Sequence, residues 1–266
     1  MRNHPGSLLP DIVALARVAG REILWIYDGE ITVWRKGDDS PLTAADLAAH
    51  RRLMDGLARL TPELPRLSEE AADIPFAVRQ GWSRYWLLDP LDGTREFVKR
   101  NGEFTINIAL IDDGRPVLGV VHAPVLATTY YAAVGAGAWK QVGDALPIAL
   151  RTVPTRKPPR LLTSRSHRSP ELESLMTRLP PHETLNIGSA LKFCLVAEGG
   201  ADLYPRMGPT SEWDTAAGQC VVEQAGGIVT DTAGSPLRYN TKESLINPHF
   251  LVAGEIGYPW QQYVSG

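Results

Sequence analysis

The chain is poor in cysteine. Only Cys194 and Cys220 occur in 266 residues, which leaves no material for a disulfide framework or a thiolate cluster. Both lie in apolar helical patterns and are expected to be buried free thiols. No uninterrupted apolar run approaches the length of a membrane span. The opening residues, MRNHPG, lack the apolar core of a signal peptide. Net charge is only −3, so there is no global attraction to nucleic acid or an anionic membrane. An anionic ligand would need local cations instead. The six histidines are scattered without metal-ligand spacing. There is no Walker A loop, HExxH or CxxC, and Gly135-Ala-Gly137 lacks the third glycine of a dinucleotide fingerprint. No internal repeat or low-complexity segment is present. These absences favour a cytoplasmic protein with a small-molecule partner, no nucleic acid and no integral membrane segment.

The composition that remains, 44% hydrophobic and 21% charged, is that of a globular protein able to bury a large core. Leu9, Ile12, Val13, Ala16, Ala19 and Ile23 recur at helical spacing between Ser7 and Gly29 and predict a long first helix. Residues 31–36 read as a strand and residues 43–60 as a second helix with Thr43 as its N-cap. Residues 84–89, 104–111, 117–122 and 128–134 read as strands, punctuated by Gly114 and Pro124. Residues 70–81 read as loop. The stretch 151–160, rich in proline and basic residues, marks the boundary between halves. Residues 1–155 form an α+β half and residues 156–266 an α/β half of alternating elements. In the second, 161–163 is a strand and 170–179, 189–198 and 214–224 are helices. Leu203, 228–230 and 250–252 fall in short strands.

The most informative segment is WLLDPLDGT at residues 86–94. A buried strand runs into Asp89, and Pro90 fixes φ, removes a donor and ends it. The tight turn that follows can gather Asp89, Asp92 and the Leu91 carbonyl on one side. Three oxygen donors on a short turn suit a hard cation such as Mg²⁺. Gly93 and Thr94 then open a helix or turn whose free N–H groups point at an anion. The plainer alternative is a surface turn, because Asp, Pro and Gly are ordinary turn residues.

Asp89-Pro-Leu-Asp-Gly-Thr94, with EWDTAAGQ at residues 212–219 and Ser68-Glu-Glu70 upstream, resembles the inositol monophosphatase superfamily. These are metal-dependent, lithium-sensitive phosphatases. The order and spacing of the motifs match from about residue 36 to 248, and two long motifs with a positioned Glu pair are a specific signal. The resemblance implies a layered αβαβα sandwich, of mixed α+β and α/β character, with the active site between two halves. It also implies that Glu69, Asp89 and the Leu91 carbonyl bind a first Mg²⁺. Asp89, Asp92 and Asp214 would bind a second, with room for a third near Glu69. Asp46 and Thr94 would activate the water. Each residue has a structural alternative. Asp214 suits a helix start, as cap or first-turn acid. Glu69 and Glu70 suit a solvated acidic pair. Asp46, three residues after Thr43, suits a capping box.

Segments of the second half resemble the 3′(2′),5′-bisphosphate nucleotidase branch of bacterial CysQ type. They are Ser164-Arg-Ser-His167, the run from Gly188 to Gly199, and Leu203-Tyr-Pro-Arg206. This resemblance makes His167, Ser189, Lys192 and Arg206 substrate contacts, beside Gly93 and Thr94. Lys192 near a helix start opposes the macrodipole preference, which points to an anion there. Arginine suits bidentate phosphate recognition and lysine supplies a point charge. His167 as a plain loop residue, Arg206 as a surface arginine and Lys36 as a strand-end lysine are the alternatives. The implied activity is Mg²⁺-dependent hydrolysis of 3′-phosphoadenosine 5′-phosphate to AMP and phosphate, in sulfate assimilation and nucleotide recycling. The rivals are an inositol monophosphatase or fructose-1,6-bisphosphatase on the same metal site and, in another class, a non-catalytic nucleotide-binding protein. A monomer or a homodimer fits, as does a peripheral place on the inner face of the cell membrane.

Overall fold

The computed structural model describes residues 4–35, 41–164 and 169–264. Helix α1 (Leu9–Tyr27) is followed by an antiparallel pair, β1 (Val33–Arg35) and β2 (Pro41–Thr43), and by helix α2 (Ala44–Leu60). Next come β3 (Arg66–Ser68), a short helix α3 (Phe76–Arg79), β4 (Arg84–Asp92) and a short helix α4 (Thr94–Val98). A meander then runs through β5 (Thr105–Asp112), β6 (Arg115–Ala123), β7 (Thr128–Ala133), β8 (Gly137–Val142) and β9 (Ile148–Ala149). Strands β3 to β9 form one sheet in chain order, antiparallel except for the β3–β4 pair. The remaining elements are β10 (Arg160–Ser164), α5 (Pro170–Arg178), β11 (Glu183–Ile187), α6 (Leu191–Ala197), β12 (Leu203–Arg206), α7 (Glu212–Gln224), β13 (Ile228–Asp231) and β14 (Phe250–Ala253). Their strands form a mixed sheet of order β11-β10-β12-β14-β13.

Side-chain alternation along β4 to β6 builds two cores from one sheet. Trp86, Leu88, Ile106, Ile108 and Leu110 pack with Ile12, Ile23, Leu53 and Leu57 of α1 and α2. Tyr85, Leu87, Ala109 and Ile111 pack with Phe193, Cys194, Val221 and Val222 of α6 and α7, and with Phe250 and Val252 of the second sheet. Leu172 and Leu175 of α5 cover that sheet's other face, against Leu161, Leu203 and Leu251. The layers are therefore α1/α2, seven-stranded sheet, α6/α7, five-stranded sheet, α5: the expected αβαβα sandwich. Emptying one fully enclosed position, such as Leu53→Ala, would cost ~2–5 kcal/mol.

Helix α7 lies directly on the first sheet although its chain neighbours belong to the second. Gly119 permits this: a Cβ there would lie 2.4 Å from the Ala217 carbonyl and 2.8 Å from the Cys220 Cβ. The close crossing carries the start of α7, with Asp214, to the end of β4.

Several elements differ from expectation. Strand β4 does not stop at Asp89 but continues to Asp92. Asp89 pairs with Asn107 and Asp92 with Thr105, three steps on β4 against two on β5. The extra residue makes a β-bulge, which frees Pro90 from the ladder that would otherwise exclude it. The stretch 70–81 is not all loop, since it contains α3. Helix α6 starts at Leu191 because Ser189 has φ 42° and cannot be helical. Helix α7 starts at Glu212, so Asp214 is its third residue and not its first. Strands β2, β3, β8, β9 and β11 have no counterpart among the elements expected from sequence.

Candidate active site and metal centre

Three carboxylates from separate elements meet at the end of β4. Ligand oxygens of Glu69, Asp89 and Asp214 lie within 4.8 Å of one another. Glu69 stands in the single turn after β3, Asp89 before the bulge, and Asp214 in the first turn of α7. Burial pushes the Asp89 carboxyl well above its usual range, and Glu69, Asp92 and Asp214 push it further. Burial, then Asp92 and Glu69, push Asp214 up to about 8. Carboxylates held this close call for a cation, and an all-oxygen donor set suits a hard one. The residues present therefore fit a divalent metal centre.

Asp92 lies beside this group but not within it, so the close trio cuts across the two ligand sets expected from sequence. Its Oδ2 accepts from the Ala190 N–H at 2.6 Å, from Asn107 Nδ2 at 3.3 Å and from the Thr105 hydroxyl at 3.4 Å. Those donors fix one oxygen and leave Oδ1 to face elsewhere. Burial raises the Asp92 pKa, against the pull of Lys192. The Leu91 carbonyl accepts from the Thr94 hydroxyl at 3.3 Å, and the Leu91 N–H donates to Asp89 Oδ1 at 3.0 Å. Glu70 is outside the acid group and acts electrostatically on His50 instead.

Asp46 is almost fully buried and serves two purposes. Its Oδ2 accepts from the Thr43 N–H at 2.7 Å and the Thr43 hydroxyl at 2.6 Å, completing a capping box on α2. Its Oδ1 accepts from the Thr94 hydroxyl at 3.2 Å. The capped helix start is thus a rigid mount that holds a carboxylate against Thr94. Gly93, with φ 91°, makes the left-handed step that turns the chain from β4 into α4.

A cavity of about 260 Å³ is lined by these acids and also by Lys192 and Arg206, with Ser164, Ser189 and Tyr204. Lys192 is only 5% exposed. Its Nζ donates to the Ser189 carbonyl at 2.7 Å and sits 5.3 Å from the Tyr204 ring centre. Burial pulls its pKa down to about 8, with Asp92 opposing. Arg206 Nη2 donates to the Pro209 carbonyl at 2.7 Å. Its Nε is enclosed without a partner among the described residues. The Ser189 hydroxyl donates to the Glu103 carbonyl at 2.6 Å, so its proton is engaged within the protein and only its lone pairs are left for a ligand. Lys36 and His167 lie outside the described residues.

The residue pattern and geometry find matches among known proteins. The family model described as "Inositol monophosphatase family" matches residues 8–258. The chain belongs to the inositol monophosphatase family. Over 250 residues it is 54% identical to the 3′(2′),5′-bisphosphate nucleotidase CysQ of Escherichia coli K12, covering 92% of this chain and 99% of that one. The CysQ structure from Bacteroides thetaiotaomicron, a member of the same family, superposes with a TM-score of 0.83 at 41% identity, covering 94% of this chain and 98% of that one. The Thermotoga maritima IMPase superposes with a TM-score of 0.81 at 26% identity, covering 97% of each chain. Enzymes of this family are metal-dependent phosphatases, and the acid group described above is where this member can hold metal.

Sequence reasoning passed over Thr105, Asn107 and Glu103. The first two are buried polar residues at alternate positions of an apolar strand. That pattern is itself a signal, because a buried polar side chain needs a partner; here the partner is Asp92. No comparable signal marked Glu103, whose contacts lie some 85 residues away in Gly188.

Proposed function

We propose that this chain is a Mg²⁺-dependent 3′(2′),5′-bisphosphate nucleotidase that converts 3′-phosphoadenosine 5′-phosphate to AMP and phosphate. One observation carries the reading: a single cavity is lined both by the three-carboxylate group and by two cations, Lys192 and Arg206. A substrate with one phosphate needs only the carboxylates with their metals. A substrate with two phosphates gives the two cations a second group to hold. The nucleotidase name of relatives at 54% identity supports the same choice.

In this reading Glu69, Asp89 and the Leu91 carbonyl hold one Mg²⁺, and Asp89, Asp92 and Asp214 hold another. Bound there, such ions would neutralise phosphate charge and lower the pKa of water so that it loses a proton readily. The chain's own groups do the rest. The attacking water passes a proton to Thr94 Oγ1, whose own proton moves to Asp46 Oδ1 along the 3.2 Å contact. Thr43 holds the other Asp46 oxygen, so the acceptor cannot rotate away. Acid–base assistance of this kind is worth ~10²–10⁴ in rate. Lys192 and Arg206 hold the phosphate that is not cleaved, and Gly93, Thr94, Ser189 and His167 complete the substrate contacts.

The test is product analysis. The purified protein is incubated with 3′-phosphoadenosine 5′-phosphate and Mg²⁺, and the nucleotide product is resolved by chromatography. AMP and one equivalent of phosphate are expected, with no turnover in excess chelator. The 3′-monophosphate as product would invert the assignment of the two phosphates, and turnover in chelator would remove the metal mechanism.

A further inference from the structure

Residues 188–190 line the cavity and touch both an acid and a cation of it. The Ala190 N–H donates to Asp92 Oδ2 at 2.6 Å, and the Ser189 carbonyl accepts from Lys192 Nζ at 2.7 Å. These two groups are the opposite ends of one trans peptide unit, so that single amide faces the acid on one side and the cation on the other. Its orientation is set by Ser189, where φ is 42°. That conformation is disfavoured for a residue with a Cβ and has to be held by its surroundings.

Glu103, in the loop between α4 and β5, does the holding. Its Oε2 accepts from the Gly188 N–H at 2.8 Å, and its carbonyl accepts from the Ser189 hydroxyl at 2.6 Å. Its own N–H donates to Asn101 Oδ1 at 2.9 Å, which ties down the loop that carries it. The fit is close: a Cβ on Gly188 would lie 2.7 Å from the Glu103 carbonyl oxygen and 2.8 Å from Glu96 Cγ.

We propose that Glu103 is a positioning residue, which clasps Gly188 and Ser189 so that Asp92 and Lys192 are oriented for their cation and phosphate. The proposal rests on the reading of Asp92 as a cation ligand. It differs from a plain tether between the halves, for which Lys140 provides the comparison. Lys140 Nζ reaches Glu198 Oε2 at 2.6 Å, joining β8 to the end of α6 away from the cavity.

The experiment titrates metal-free protein with Mn²⁺ and reads free Mn²⁺ by electron paramagnetic resonance, which needs no substrate. Partners that orient a metal ligand typically carry 10- to 100-fold in metal affinity or activity. Glu103→Ala is therefore expected to weaken the weaker Mn²⁺ site by about 10-fold. Glu103→Asp keeps the charge but withdraws the oxygen by one methylene, and should do the same if the alanine variant does not fold. Glu103→Gln should bind close to wild type, because its amide oxygen can accept the same N–H. Lys140→Met should bind as wild type. Mn²⁺ affinity unchanged within twofold in both Glu103→Ala and Glu103→Asp would overturn the proposal, as would a glutamine variant as impaired as the alanine one. Absence of bisphosphate turnover by wild type, with the Mn²⁺ pattern as expected, would instead remove the substrate reading and leave Glu103 its role.

Discussion

Lys192→Met removes an ammonium while keeping the length and bulk of the side chain. The amine it removes is 5% exposed and lies 2.7 Å from one backbone carbonyl. A charge-assisted contact to phosphate from such a position contributes ~1.5–3 kcal/mol. At 1.4 kcal/mol per tenfold, kcat/KM for the bisphosphate nucleotide should fall by about 10- to 100-fold. Some of the loss will be shared by every substrate, because Asp92 loses its neighbouring cation and the Ser189 carbonyl loses a donor. Inositol 1-phosphate has no second phosphate, so it measures that shared part. The ratio of the two specificity constants then isolates the grip on the retained phosphate. The same ratio should fall for Arg206→Gln. A pH profile adds an independent check. Burial pulls Lys192 down to about 8, so kcat/KM for the bisphosphate should decline as pH rises through that region. That decline should vanish in Lys192→Met. Equal losses on both substrates would refute the reasoning and assign the two cations to the common site or the fold.

Thr94→Ala should lower kcat by ~10²–10⁴ with Mn²⁺ affinity retained, because Thr94 handles the proton and is not among the metal carboxylates. A large loss of Mn²⁺ affinity would contradict that division. Asp92→Asn keeps the shape of the side chain and removes a charge, so the Mg²⁺ concentration for half-maximal activity should rise; an unchanged Mg²⁺ dependence and kcat would exclude Asp92 as a ligand. The acid cluster also makes Mg²⁺ protection pH-dependent. Asp214 moves from an ordinary 3.8 up to about 8 in the fold. A carboxyl raised on folding stabilises the metal-free protein below its unfolded pKa, and that contribution is lost as pH rises through the folded value. The Tm gained on adding Mg²⁺ should therefore be larger at pH 8 than at pH 5, by scanning fluorimetry. Equal shifts at both would mean that the carboxylates are not raised together.

The parts of the molecule legible in the sequence were those governed by local chemistry. The spacing of apolar residues from Leu9 to Ile23 predicted α1, and Thr43 with Asp46 predicted the capped start of α2. The carboxylates at Asp89, Asp92 and Asp214 stood out because two long motifs were recognisable. What escaped was set by pairing across long separations. The bulge that carries β4 past Pro90 exists because β5 offers Thr105 and Asn107 as partners. No local rule for proline reports that. The left-handed turn at Ser189 is held by Glu103 from the other half of the chain, so a helical pattern from 189 onward looked continuous in sequence. The crossing of α7 over Gly119 was likewise invisible, although it is what brings Asp214 to Asp89.

The central claim is that one cavity joins a metal-dependent phosphatase centre to a second phosphate subsite. The most direct test measures kcat/KM for 3′-phosphoadenosine 5′-phosphate and for inositol 1-phosphate, on the same preparation, with Mg²⁺ and with excess chelator. The account predicts that the bisphosphate is favoured by about 10- to 100-fold, the worth of one retained cation–phosphate contact, and that both activities vanish in chelator. Preference for inositol 1-phosphate, or turnover that survives chelation, would contradict it.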